Sequence, residues 1–171
     1  MARPGPIRSG PVTESGALKL IKEPANIDLL IADVVSALKP QANTAGVTLE
    51  INVANDLPPL EVDPARIREV LMNLGTNALR FTPRQGTVCI SASRHPVGRR
   101  VIVSVKDTGA GIPPADLPHI FERFYKASDS RGSGLGLTIA KDLVAAHGGE
   151  IWARSQRDEG TTVSFTLPIG P

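Results

Sequence analysis

Two neighbouring segments of this chain, TVCISAS (87–93) and RVIVSV (100–105), alternate apolar and polar residues with the two-residue period of a half-buried strand. Only a short loop separates them. A parallel neighbour needs a crossover of a dozen or more residues, so strands joined this closely run antiparallel. EIWARS (150–155) and TTVSFTLP (161–168) form a second close pair near the C-terminal end. The strands outnumber what a parallel βαβ alternation requires. Between them stand helical signals. Ile27, Leu30, Ile31, Val34, Val35 and Leu38 recur at helical spacing before Gly46 and the alternating VTLEINV. DPARIREVLMNLGTNALRF (63–81) opens with Asp63 as a cap and Pro64 at the first helical position. A proline-rich turn, a short helix PHIFERFYK (118–126) and a glycine-led helix from Leu135 to His147 complete the pattern. The consistent layout is an α+β, two-layer sandwich: a mixed, largely antiparallel sheet with helices on one face. Residues 1–12, rich in Pro, Gly and Arg, read as a flexible lead-in to one domain over 13–171, without internal repeats.

Composition excludes several classes. With 41% hydrophobic and 21% charged residues among 171, the chain is globular rather than disordered. A net charge of +2, with scattered Lys and Arg, gives no footprint for nucleic acid. Cys89 is the single cysteine, which rules out an intrachain disulfide and fits a reducing cytosol. No apolar run approaches the ~20 residues of a membrane span, and the N-terminus has no apolar signal-peptide core, so a cytoplasmic protein without membrane insertion is expected.

Three constellations carry chemistry. On the helix from Pro64, Glu69, Asn73, Asn77 and Arg80 share one side, while Ile67, Leu71, Leu74, Ala78 and Phe81 project from roughly the other. Asparagine is a poor helix former; two of them one turn apart offer oxygens to Mg²⁺, or else form a solvated polar face. In VKDTGAGIPP, Asp107 ends a strand and Gly109 and Gly111 follow. That carboxylate is placed to accept from an exocyclic amine, or the motif is a plain strand-ending turn. In IFERFYKASDSRGSGLGLTIA, an aromatic segment with Phe121 and Phe124 precedes Gly132, Gly134 and Gly136. Bare backbone amides feeding a helix N-terminus form an anion site, and the order resembles a hinged lid; both phenylalanines also fit an ordinary core.

Together these motifs resemble the catalytic ATP-binding domain of sensor histidine kinases, in the superfamily that includes DNA gyrase, Hsp90-type chaperones and mismatch-repair ATPases. NLGTNALRFTP is similar to the N box, DTGAGI to the G1 box, FERFYKA to the F box and GSGLGL to the G2 box. ESGALKLIKEP resembles the linker after the family's dimerisation helices. The resemblance implies a Bergerat-type ATP-binding fold with ATP and Mg²⁺. It assigns Asn77 to the metal, Asn73 beside it, Arg80 to phosphate and Phe81 near the base. Asp107 would take the adenine amine, with Gly109, Gly111 and Thr161 around the base. Arg123 and Lys126 would reach the terminal phosphate, and Gly132, Gly134, Leu135 and Gly136 would form the covering lid. Two departures stand out: Arg80 replaces the family's usual Lys, and the stretch between Lys126 and Gly132 is short. Both point to weaker or faster-exchanging ATP.

Hydrolases of the superfamily carry a Glu base four residues before the metal-binding Asn. Here that position is Asn73, which cannot accept a proton from water and so favours transfer to a protein side chain. His95, His119 and His147 are followed by Pro, Ile and Gly, whereas the family's phosphoacceptor is followed by Glu or Asp. All three read as structural, with His147 a cation at a helix C-terminus. The expectation is a protein histidine kinase that phosphorylates, in trans, a histidine on a dimeric helical partner or missing domain, with a response regulator downstream. An anti-sigma-factor-type serine kinase and a non-catalytic nucleotide-binding module are the alternatives.

Overall fold

The computed structural model describes residues 19–123 and 135–170. Its elements run β1 (Glu23–Ala25), α1 (Ile27–Ala45), β2 (Thr48–Val53), β3 (Leu60–Val62), α2 (Pro64–Phe81), β4 (Thr87–Arg94), β5 (Arg100–Asp107), α3 (Leu135–Ala146), β6 (Ile151–Gln156) and β7 (Gly160–Pro168). The main sheet has the order β2-β4-β5-β7-β6. β2 is parallel to β4, and the remaining pairs are antiparallel. This is the expected mixed α+β layout. Val88, Ile90 and Ala92 of β4 and Val101, Val103 and Val105 of β5 point to the buried side. There they meet the apolar stripes of the helices, such as Ile31, Val34 and Leu38 of α1 and Ile67, Leu71 and Leu74 of α2. A Cβ at Gly75 would run into Leu38 Cδ1, so the bare glycine sets how closely α1 approaches α2.

Asp63 caps α2 as expected, its Oδ1 accepting the Arg66 N–H at 3.3 Å. Gly46, at φ 71°, ends α1 in the left-handed conformation, its N–H returned to the carbonyls of Ala42 and Asn43. Three features differ from expectation. β1 and β3, three residues each, pair antiparallel as a separate two-stranded sheet and were not foreseen. Over the described part of the expected helix at PHIFERFYK, residues 118–123, there is a single 3₁₀ turn, Leu117–His119, continued by the Glu122 N–H to His119 carbonyl bond; residues 124–126 lie outside the described residues. The His119 N–H donates to the Asp116 carbonyl at 2.9 Å, the i to i−3 spacing of a 3₁₀ turn. Phe81, expected on the core side, is 36% exposed at the last turn of α2.

His147 also differs from expectation. It is 3% exposed, its Nδ1 donates to the Leu143 carbonyl at 2.7 Å, and its Nε2 accepts the Asp63 N–H at 3.1 Å. An accepting Nε2 carries no proton, so the ring is neutral and not the dipole-compensating cation. Burial pushes its pKa below the usual imidazole value, and Lys22 adds to this; the Leu143 carbonyl and Asp63 act in the opposite direction. Below its unfolded pKa of about 6.5, the unfolded imidazole binds a proton that the folded one resists. Stability is therefore full above that pH and declines as pH falls toward the depressed folded value, by at most about 1.4 kcal/mol per pH unit. Urea midpoints between pH 8 and 5 should fall more in the wild type than in His147→Gln; parallel curves would reject this role.

Candidate functional site

Strand β5 delivers Asp107 to the end of the sheet, where it is 7% exposed. Its Oδ1 accepts the N–H of Gly109 at 2.9 Å and of Thr161 at 3.2 Å. Both bonds fall on the same oxygen, and among the described residues no donor is directed to Oδ2. Burial raises the carboxyl pKa, while the Gly109 and Thr161 amides pull it down. A buried carboxylate with one oxygen satisfied and the other open has its acceptor ready for a donor from outside the chain.

The turn after Asp107 is held by close backbone contacts. A Cβ on Gly109 would strike the Phe81 carbonyl, and one on Gly111, at φ 84°, would strike the Gln156 carbonyl. The chain's own packing thus demands both glycines, and it brings the C-terminal end of α2 against the Asp107 turn. Thr161 is 8% exposed, and its Oγ1 lies 2.9 Å from Ser155 Oγ.

On α2, the polar stripe is neither core nor fully solvated: Glu69, Asn73 and Asn77 are half-buried and Arg80 is exposed. Glu69 pairs with Arg66 at 3.2 Å. Asn77 stands one turn after Asn73, with Arg80 in the last turn, so this face runs toward the Phe81–Gly109 contact. Arg123 is exposed at the end of the described stretch after the 3₁₀ turn. That stretch is anchored by Ile120, which is buried, and by the Thr138 hydroxyl of α3, which donates to the Phe121 carbonyl at 3.0 Å. Leu135 and Gly136 open α3. Phe124, Lys126, Gly132 and Gly134, and with them the expected lid, lie outside the described residues. The structure therefore brings together the C-terminal end of α2, the Asp107 turn and Thr161.

A donor set for Mg²⁺ here is narrow. Among the described residues no three His, Cys, Asp or Glu side chains gather as a metal-holding group. A side-chain amide such as Asn77 fits an ion that takes most of its oxygens from phosphate and water. Among the described residues no helix is long and apolar enough to cross a membrane. The sequence reading overlooked Ser155. A serine on an alternating strand carries no local signal of its contacts with residues far along the chain.

Comparison with known proteins gives the same outline. Residues 62–171 match the family model described as histidine kinase-, DNA gyrase B-, and HSP90-like ATPase. The chain is 37% identical over 157 residues to the adaptive-response sensory kinase SasA of Trichormus variabilis, covering 90% of this chain and 39% of that protein. The crystal structure of full-length ShkA in complex with AMPPNP superposes with a TM-score of 0.82 at 36% identity, covering 89% of this chain and 32% of that one. Histidine kinase ThkA in complex with the response regulator protein TrrA gives 0.74 at 28% identity, covering 88% and 42%. The chain spans 19% to 39% of the length of such curated relatives.

Proposed function

The chain belongs to the histidine kinase-, DNA gyrase B-, and HSP90-like ATPase family, and from that premise we propose that it is the ATP-binding catalytic part of a cytoplasmic two-component sensor histidine kinase. The γ-phosphoryl group of ATP goes to a histidine on a separate partner or on a domain outside this sequence, and from there to a response regulator. The observation that carries the reading is the open Oδ2 of buried Asp107, which suits the exocyclic amine of adenine.

Phe81, Gly109, Gly111 and Thr161 surround the base in this reading. Arg80 and Arg123 meet the phosphates, and Asn73 stands beside them. Asn77 would hold Mg²⁺ through its side-chain oxygen, and the ion would supply charge neutralisation during transfer. The protein's contribution is then positioning: holding the base by one acceptor and the phosphates by amide and guanidinium donors, in line with an incoming nucleophile.

Calorimetric titration with ADP and Mg²⁺ tests the site. One saturable site per chain is expected, with affinity falling as pH is lowered and Asp107 gains its proton, at a higher pH than for an ordinary aspartate. No saturable heat at neutral pH would overturn the reading.

A further inference from the structure

The hydroxyl of Ser155 stands where three segments meet. In the hairpin of β6 and β7 this residue is paired opposite Thr161. Its Oγ accepts the Ile112 N–H at 2.6 Å, lies 2.9 Å from Thr161 Oγ1 and donates to the Gly160 carbonyl at 3.1 Å. A hydroxyl has one proton and two lone pairs, and these three neighbours fill that capacity. The same hairpin touches the turn twice more. The Asp158 N–H donates to the Ala110 carbonyl at 2.7 Å, and the Gln156 carbonyl closes on Gly111.

We propose that Ser155 is a positioning residue for adenine recognition, tying the Gly109–Ile112 turn to the Thr161 strand and so fixing the direction in which Asp107 presents Oδ2. The inference rests on the nucleotide reading of the site. A carboxylate turns easily about its last torsion, whose energy wells are broad. Two amides on Oδ1 hold Asp107 against that rotation: Gly109 from the turn and Thr161 from the strand. Ser155 is bonded to both of those segments, at Ile112 and at Thr161. Without its hydroxyl the turn and strand shift independently, and the open acceptor loses its fixed aim. A residue that only supported the fold would weaken every nucleotide alike. A residue that aims Oδ2 selectively weakens ligands bearing an amine at that edge.

The test uses the full 171-residue chain as wild type, Ser155→Ala and Ser155→Thr. Calorimetry compares ADP with inosine diphosphate, which carries a carbonyl in place of the exocyclic amine, and amide exchange is followed without nucleotide. Ser155→Ala should weaken ADP roughly tenfold and inosine diphosphate less, narrowing the preference. Ile112 and Thr161 amides should exchange faster, with Val103 and Val105 unchanged. Ser155→Thr, which keeps the hydroxyl, should restore the preference. Equal weakening of both nucleotides, or an unchanged preference in Ser155→Ala, would overturn the assignment. Absence of binding of either nucleotide by the wild type would instead refute the nucleotide reading and this inference with it; exchange at Ile112 would then still report whether Ser155 holds the turn.

Discussion

Asp107→Asn should abolish useful adenine-nucleotide binding, lowering ADP affinity by roughly a hundredfold or more while leaving the fold intact. The substitution changes one atom that matters. The asparagine Oδ1 keeps the Gly109 and Thr161 amide bonds that organise the turn. Its Nδ2 takes the place of Oδ2 and sets donors against the donors of the adenine amine. Burial raises the Asp107 carboxyl pKa, so a neutral amide sheds a desolvation cost, and the urea midpoint at neutral pH should hold or rise. The same amide is complementary to a carbonyl, so the preference should turn toward inosine diphosphate. Calorimetry with both nucleotides, alongside urea unfolding, separates the cases. Wild-type ADP affinity in the variant would remove Asp107 from the site. Asp107→Ala is less informative, because it would leave the Gly109 and Thr161 amides without their acceptor and disturb the turn directly.

The parts of this molecule that were legible in the sequence are those whose cause is local. Alternation in β4 and β5 follows from one buried face, and the α2 start from an Asp–Pro pair whose capping bond spans three residues. The illegible parts depend on distant partners. β1 and β3 are too short to show a period, and their pairing of Glu23 with Val62 joins segments separated by α1 and β2. His147 at a helix end has the local signature of a cation, but the Asp63 amide, 84 residues away, makes it a neutral acceptor. Phe81 obeys the apolar period of α2 and still reaches solvent, because the helix ends there and its carbonyl packs on Gly109. The site divides in the same way. Asp107, Gly109 and Gly111 are contiguous and visible as a motif, whereas Ser155 acts on Ile112 across 43 residues.

With nucleotide and Mg²⁺ but no partner, the chain should turn ATP over slowly and should not label itself; adding the right histidine acceptor should raise phosphoryl transfer by roughly a thousandfold or more. Asn73 stands one turn before Asn77 on the half-buried face of α2. An amide there cannot take a proton from water. Glu69, one turn further back, is engaged by Arg66 at 3.2 Å. Among the described residues, water bound in this site therefore finds no base on α2, and general-base catalysis worth roughly a hundredfold to ten-thousandfold is missing from that helix. The described histidines do not replace the acceptor. Both ring nitrogens of His147 are committed inside the core, and His95 closes its own turn through Val97. His119 is exposed and pairs with Glu122 at 2.8 Å, which makes it the internal position best able to compete. Incubation with γ-labelled ATP, alone and with dimeric helical histidine proteins, decides the matter. Acid-labile, alkali-stable label on the partner, passed on to a response-regulator aspartate, is the expected result. Label on His119 would refute transfer in trans, acid-stable label on a partner serine would establish a serine kinase, and tight ATP binding without transfer to any acceptor would leave a nucleotide-binding module.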